Sequence, residues 1–130
     1  KGTVFISIDN DNKKFIIEIA QKLKELDFNL LATKGTAEYL NTNNIKTKIV
    51  NKVKEGNPHV VDSLTNNEIQ LVINTTKTQS SIRDSYSIRR TSLMYNIPYY
   101  TTIAGAKVAV DAIEHMKTQE FTIKSLQTIN

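Results

Sequence analysis

Strands and helices alternate along this 130-residue chain, which predicts an α/β fold: a three-layer α/β/α sandwich around a five-stranded, mainly parallel sheet. Three observations carry that prediction. The runs Thr3–Ile8 and Ile69–Asn74 are short, almost wholly apolar and rich in β-branched residues, as strands buried on both faces are. The stretch from Lys13 to Leu26 has helical periodicity, with Phe15, Ile16, Ile19, Ala20 and Leu23 on one stripe. Strands separated by a helix's length of chain are joined by right-handed crossovers, which makes the sheet parallel.

Taken in order, the first strand ends at the polar turn Asp9-Asn10-Asp11-Asn12, which supplies caps for the helix from Lys13. That turn has Asp spacing, but no glycine at its centre and no closing glutamate, so a calcium loop is excluded. The stretch Leu30-Leu31-Ala32-Thr33-Lys34-Gly35-Thr36-Ala37-Glu38-Tyr39-Leu40 reads as a short strand, a tight turn at Gly35 and a helix with Thr36 as N-cap. Ile45 to Val50 alternates as an exposed edge strand, and Asn51–His59 is too polar for regular structure. Val60, Val61 and Leu64 mark a short helix ending at Asn66-Asn67, followed by the strand Ile69–Asn74. A loop over Lys77–Ser81 leads to a polar helix through Arg89, Arg90, Leu93 and Tyr95, and Ile97–Thr102 is a fifth short strand. Ala104 to Met116 is helical, with Val108, Ala109, Ala112, Ile113 and Met116 expected inward; the tail Phe121–Leu126 is expected to add a strand or pack loosely.

Composition narrows the function. Fourteen of the 17 basic residues are lysines spread over the whole length, not a concentrated arginine face with aromatics between, so nucleic-acid binding is not expected despite a net charge of +4. The absence of cysteine removes disulfide frameworks and thiolate metal sites and fits a reducing, cytoplasmic setting. No run approaches the length of a membrane span, and no signal peptide is expected before the first strand. A chain that opens at Lys1 and enters a strand almost at once is expected to be one domain cut from a longer polypeptide.

In parallel sheets, ligands bind beyond the carboxyl ends of the strands, where strand order reverses. Here those ends are Ser7, Thr33, Asn74-Thr75-Thr76 and Thr101-Thr102: hydroxyls and an amide, with neither a catalytic acid nor a thiol. Lys13 and Lys52 supply positive charge, and the start of the helix after Thr33 offers N–H groups lacking intrahelical partners. Such a lattice suits a phosphate. A capped, empty joint is equally ordinary in α/β folds, so Thr-x-Gly-Thr alone leaves both readings open. His59 is read as stabilising its loop, His115 as complementing a helix dipole, and Arg89-Arg90 with Asp84 as an ion-pair cluster; no spacing makes a metal site.

Several strings in fixed order go further: Leu30–Leu40, Asn51-Lys52-Val53-Lys54-Glu55-Gly56-Asn57-Pro58-His59, Ile73-Asn74-Thr75-Thr76, Ser87-Ile88-Arg89-Arg90-Thr91 and Tyr100-Thr101-Thr102. Together they closely resemble the C-terminal allosteric domain of the carbamoyl phosphate synthetase large subunit, a domain with the fold of methylglyoxal synthase. The resemblance covers nearly all of the chain and implies a single regulatory domain over residues 1–130, itself non-catalytic and without a cofactor. It implies UMP as inhibitor and IMP as activator at one site. Phosphate contacts then fall on Lys13, Thr33 and Thr36 with Lys52 beside them, while Ser7, Asn74 and Thr76 serve phosphate or ribose and Val53 and Ile88 flank the base. Ornithine, a second activator, is matched by Tyr99 and Thr101 at a different strand end. The implied parent uses ATP with Mg or Mn, and potassium, to make carbamoyl phosphate from glutamine or ammonia and bicarbonate, for pyrimidine and arginine synthesis. Its other partners would be the catalytic domains of the same large subunit, a glutaminase small subunit and further copies of itself.

Two departures stand out: Lys77-Thr78-Gln79 replaces a loop richer in glycine and arginine, and Ile103-Ala104-Gly105 replaces Asn-Gly-Gly. The alternative enzyme reading, a methylglyoxal synthase acting on dihydroxyacetone phosphate, needs a carboxylate where Gly56-Asn57 stands, and an amide accepts no proton at neutral pH. Asp62 falls on the following helix. A purine-synthesis cyclohydrolase domain shares the strand–Gly–Thr turn but not the Asn51–His59 string.

Overall fold

In the computed structural model the described residues are 2–50, 60–75 and 79–129, with backbone alone for 79–84 and 120–129. The elements are β1 (Gly2–Ser7), a 3-10 turn (Asn10–Asn12), α1 (Lys13–Glu25), β2 (Phe28–Ala32), α2 (Lys34–Thr42), β3 (Lys48–Ile49), α3 (Val60–Thr65), β4 (Leu71–Asn74), α4 (Gln79–Met94), β5 (Tyr99–Tyr100) and α5 (Ile103–Ile129). Five strands form one sheet in the order β3-β2-β1-β4-β5, and every pairing is parallel. Strand order reverses between β1 and β4, so the crevice expected of a doubly wound sheet opens there.

Side-chain alternation divides the core. Val4 and Ile6 of β1, with Leu30, Ala32, Leu71 and Ile73, face a layer built from α1, α2 and α5. Phe5 and Val72 face the opposite layer, where Val60 and Leu64 of α3 and Ile88 of α4 cover them. Both faces are buried, which explains why β1 and β4 read as continuous apolar runs.

Three helices end in the same way. Asn44, Asn67 and Asn96 have φ of 65°, 60° and 57°. The residue after each donates its N–H to a carbonyl five residues back: Ile45 to Leu40 at 2.9 Å, Glu68 to Ser63 at 2.9 Å and Ile97 to Ser92 at 2.8 Å. These are Schellman closures with asparagine in the left-handed position usually held by glycine. Ile45 and Ile97 then drop into the core. A chain with only four glycines uses asparagine, the side chain that tolerates this conformation best, at each of these turns.

Several expectations are corrected. Helix α2 begins at Lys34 with Thr33 as N-cap, so Thr36 is not the cap and Gly35 lies within the first helical turn. Phe15 is 52% exposed, with the Lys14 ammonium over its ring. On α5, Ala106 and Val110 are buried, whereas Val108 and Met116 are 70% and 62% exposed, so the inward stripe is rotated from that expected. The tail continues α5 as helix to Ile129 and adds no strand. The long helix is tied to α1 by Lys22, which pairs with Asp111 and Glu114 at 2.9 and 3.2 Å. It is tied again by Lys117, which donates to the Leu26 carbonyl at 2.6 Å and lies over the Phe28 ring.

Tyr99 packs against the second core cluster. Burial pushes its phenol above the ordinary tyrosine value, and the Asn74 amide, the Arg89 charge and the Ser85 hydroxyl oppose that shift.

Two predictions follow from this architecture. Asn96→Ala should lower stability by about 1 kcal/mol, the cost of placing an ordinary L-residue in the left-handed region, while Asn96→Gly should stay near wild type; denaturant midpoints measure both. The raised pKa of Tyr99 means the native state holds that proton after unfolded tyrosine has released it. Stability is therefore intact below pH about 10 and falls as pH rises through and beyond it, more steeply in wild type than in Tyr99→Phe, when urea unfolding is compared across that range.

Candidate functional site

The site is built from residues at or one step beyond the carboxyl ends of four strands. Ser7 of β1 lies opposite Asn74 of β4 in the parallel register. The β1–β2 and β4–β5 registers, Ile6 with Ala32 and Ile73 with Tyr100, place Thr33 and Thr101 one step further, at the same level. Thr33, Ser7, Asn74 and Thr101 thus form a polar row across four strands, one strand spacing of about 4.8 Å apart. By alternation they share the sheet face covered by α3 and α4.

Thr33 is 4% exposed and its hydroxyl donates to Ser7 Oγ at 3.3 Å. Although it is the N-cap of α2, its side chain makes no capping hydrogen bond. The N–H groups of Lys34, Gly35 and Thr36, which no residue within the helix can accept from, therefore also lack the usual hydroxyl partner. Thr36 is 2% exposed, and its hydroxyl accepts from the Ile8 N–H at 3.0 Å and turns back to the Ile8 carbonyl at 3.4 Å. It ties β1 to α2, so what Thr36 offers an anion is its backbone N–H.

Lys13 is the first residue of α1, a position where a cation opposes the helix dipole. Its ammonium donates to Asn10 Oδ1 at 2.6 Å and stands 3.5 Å from where a Cβ on Gly35 would lie. It is therefore poised directly over the first turn of α2. Lys34 begins α2 in the same dipole-opposed way. Two lysines and a set of uncapped N–H groups concentrate positive potential at one corner of the sheet, a corner suited to a small oxyanion.

Asn74 is 2% exposed. Its Nδ2 donates to Ser85 Oγ of α4 at 2.9 Å and to the Tyr99 hydroxyl at 3.0 Å. The separation expected between Asn74 and Tyr99 is thus corrected: they touch. Ser85 was not singled out from sequence, because a serine in a polar helical stretch carries no periodic signal. Next to Asn74, Thr75 turns to the other face; its hydroxyl donates to the Asp9 carboxylate and accepts from the Asp9 N–H, the latter at 3.1 Å. Asn12 donates to the same carboxylate at 2.8 Å. This local network fixes the path from β1 into α1, and so the position of Lys13.

Of the other residues expected in the site, Ile88 is 4% exposed and packs into the second core cluster rather than lying open beside a base. Thr101 is exposed at the end of β5. Lys52, Val53 and Thr76 lie outside the described residues, as do His59 and Gly56-Asn57, and the Asp84 side chain is likewise not described. Among the described residues there is no group of three or more histidine, aspartate or glutamate side chains able to hold a metal, and no helix is long and apolar enough to cross a membrane. A cleft of about 400 Å³ near the start of β1 and β2 is bordered by Lys24, Lys46, Lys48 and Glu68, but it brings no buried polar side chain to a common point.

The MGS-like domain model matches residues 15–101. A carbamoyl phosphate synthase large chain from Myxococcus xanthus is 47% identical over 126 residues, covering 97% of this chain and 12% of that protein. The C-terminal section of the corresponding large chain from Methanopyrus kandleri is 45% identical, covering 100% of this chain and 24% of that protein. The chain therefore spans a quarter or less of these relatives. In structure it is similar to methylglyoxal synthase from Elizabethkingia anophelis, with a TM-score of 0.65 over 85% of this chain and 77% of that one, at 17% identity; this likeness establishes the fold alone. The parallel sheet with two helical layers, the family match and the long-coverage relatives agree: the chain belongs to the MGS-like domain family, in the branch similar to the C-terminal part of carbamoyl phosphate synthase large chains.

Proposed function

We propose that this chain is an allosteric effector-binding domain of a carbamoyl phosphate synthetase, taking nucleoside monophosphates at the carboxyl ends of β1, β2 and β4. The observation that carries the reading is the corner where Lys13 stands over the uncapped first turn of α2 while the Thr33 hydroxyl turns aside to Ser7. A helix start with its side-chain cap withheld and a dipole-opposed lysine beside it gains stability when a phosphate arrives. The phosphate would be held by Lys13, Thr33 and the Thr36 N–H, with Lys52 contributing; Ser7, Asn74 and Thr76 would meet the phosphate or sugar, with Val53 near the base. UMP and IMP are the effectors the resemblance implies. Ornithine would approach Thr101 at the end of β5, where the domain would meet the catalytic domains of the same large subunit. The ATP, divalent cation and potassium chemistry and the glutaminase partner would belong to those other parts.

An effector site works by differential affinity for two states of the parent and needs no reacting group. The polar row supports that economy, since hydroxyls and an amide bind without transferring protons at neutral pH.

Two outcomes are expected. UMP binding, followed by calorimetry, should weaken as salt rises and should drop about 10- to 100-fold in Lys13→Met, the loss of one charged hydrogen bond, while uridine binds weakly to both; equal binding of uridine and UMP would remove the phosphate from the reading. Incubated with dihydroxyacetone phosphate, the chain should release no methylglyoxal above background; turnover abolished by Asp62→Asn would replace the regulatory reading with an enzymatic one.

A further inference from the structure

One face of α4 lies outside both core clusters. Ile88 and Ser92 turn inward, Ile88 into the second cluster and Ser92 onto the Ile88 carbonyl at 2.7 Å. Tyr86, Arg89, Arg90, Leu93 and Met94, spaced by the threes and fours of one helical face, are exposed. Composition sets this face apart from the rest of the surface. The arginines of the chain, Arg83, Arg89 and Arg90, all fall within α4, which has no lysine and no glutamate, although lysine makes up most of the basic residues elsewhere. Tyrosine, methionine and arginine with lysine and glutamate missing is the composition of a protein–protein contact. Tyrosine and arginine are also the side chains that most often dominate the binding energy of such contacts. A single exposed apolar residue needs no explanation, whereas three grouped around two guanidinium groups on one helix face do.

We propose that this face of α4 is the surface by which the domain docks, in the intact protein, on a carboxylate-bearing surface elsewhere in the same large chain. Guanidinium groups pair with carboxylates through two parallel hydrogen bonds, and no exposed residue of this face is acidic. A second copy is the wrong occupant: a two-fold axis would set the face against itself, guanidinium toward guanidinium, with no acid among its exposed residues to separate them. The relatives point to the occupant instead. In them the matching stretch is a quarter or less of one polypeptide. A surface on the same chain is held at high effective concentration, so one helix face can engage it without the area that free partners need. The proposal rests on the reading of this chain as a domain of a carbamoyl phosphate synthetase, and not on the effector site. It also gives α4 a place between the two: Ser85, on the same helix, is hydrogen-bonded to Asn74 at 2.9 Å, so a shift of α4 on docking would reach the polar row.

The two methionines of the sequence provide an internal comparison, since Met94 on this face is 68% exposed and Met116 on α5 is 62% exposed. The full-length large chain is treated with dilute hydrogen peroxide, and sulfoxide formation at each methionine is followed by mass spectrometry in wild type and R89E/R90E. Met94 should oxidise several-fold more slowly than Met116 in wild type and at a matching rate in R89E/R90E. Leu93→Asp provides a second release, expected to free Met94 in the same way should the double charge reversal disturb folding. The occupant is read from R89K/R90K, which keeps the charge and supplies amines for zero-length carbodiimide coupling. When isotopically heavy and light copies are mixed, the coupled carboxylates should lie on the same polypeptide as the amines. Equal oxidation of the two methionines in wild type, protection of Met94 that neither R89E/R90E nor Leu93→Asp removes, or coupling only between copies overturns the proposal. UMP titration of the same samples keeps the readings apart: if wild type binds no UMP, the effector site fails while protection of Met94 still supports the docking face.

Discussion

The pairing of β1 with β4, Ser7 opposite Asn74, is the constraint on which the rest of the structure depends. It joins the half of the chain that grows outward through β2 and β3 to the half that grows the other way through β5. Parallel strands need crossovers, crossovers put helices on both faces, and a sheet covered on both faces must be apolar throughout its middle. Polar groups are therefore driven to the strand ends, and the register decides which of them share a level. Shift β4 by one residue and Asn74 would change faces, leaving Ser85 and Tyr99 without their shared donor. The crevice is thus a by-product of core packing, and its chemistry is set by what stands one step beyond the last apolar residue.

Helix ends supply the second ingredient. At their carboxyl ends α2, α3 and α4 close fully on themselves through asparagine-centred turns, so those carbonyls are satisfied locally. At the amino end of α2 the reverse holds: the N-cap side chain is engaged with another strand, and the neighbouring helix contributes a lysine where its dipole disfavours one. A protein optimised only for stability would cap this turn and move the lysine, gaining on the order of 1 kcal/mol for each change. The amino end of α1 likewise has no side-chain cap, so both helix starts that meet at this corner keep their first N–H groups free of one.

Asn74 joins α4 and β5 to the end of β4, through Ser85 and Tyr99, beside the polar row. The clips between α1 and α5, by contrast, sit on the surface and on the far layer of the sandwich, where they hold a long helix in place without touching the crevice.

Much of this was legible in the chain itself. Alternation with a period of two for strands and near 3.6 for helices is a local property, so the fold class, the order of elements and the polar strand ends Ser7, Thr33 and Asn74 could be read directly, and the quoted strings carried the family resemblance. What required tertiary structure were choices between locally equivalent options. Helix α5 carries small or apolar residues around its circumference at Ala104, Ala106, Val108, Val110 and Ala112, so periodicity alone did not say which stripe turns inward. Thr33 and Thr36 are both good caps, and only the approach of Ile8, 28 residues away from Thr36, gives that hydroxyl its partner. The meeting of Asn74 with Tyr99, 25 residues apart, depends on a register that no local pattern encodes. Local sequence determined which groups reach the strand ends; the packing of distant elements decided which of them hydrogen-bond to one another.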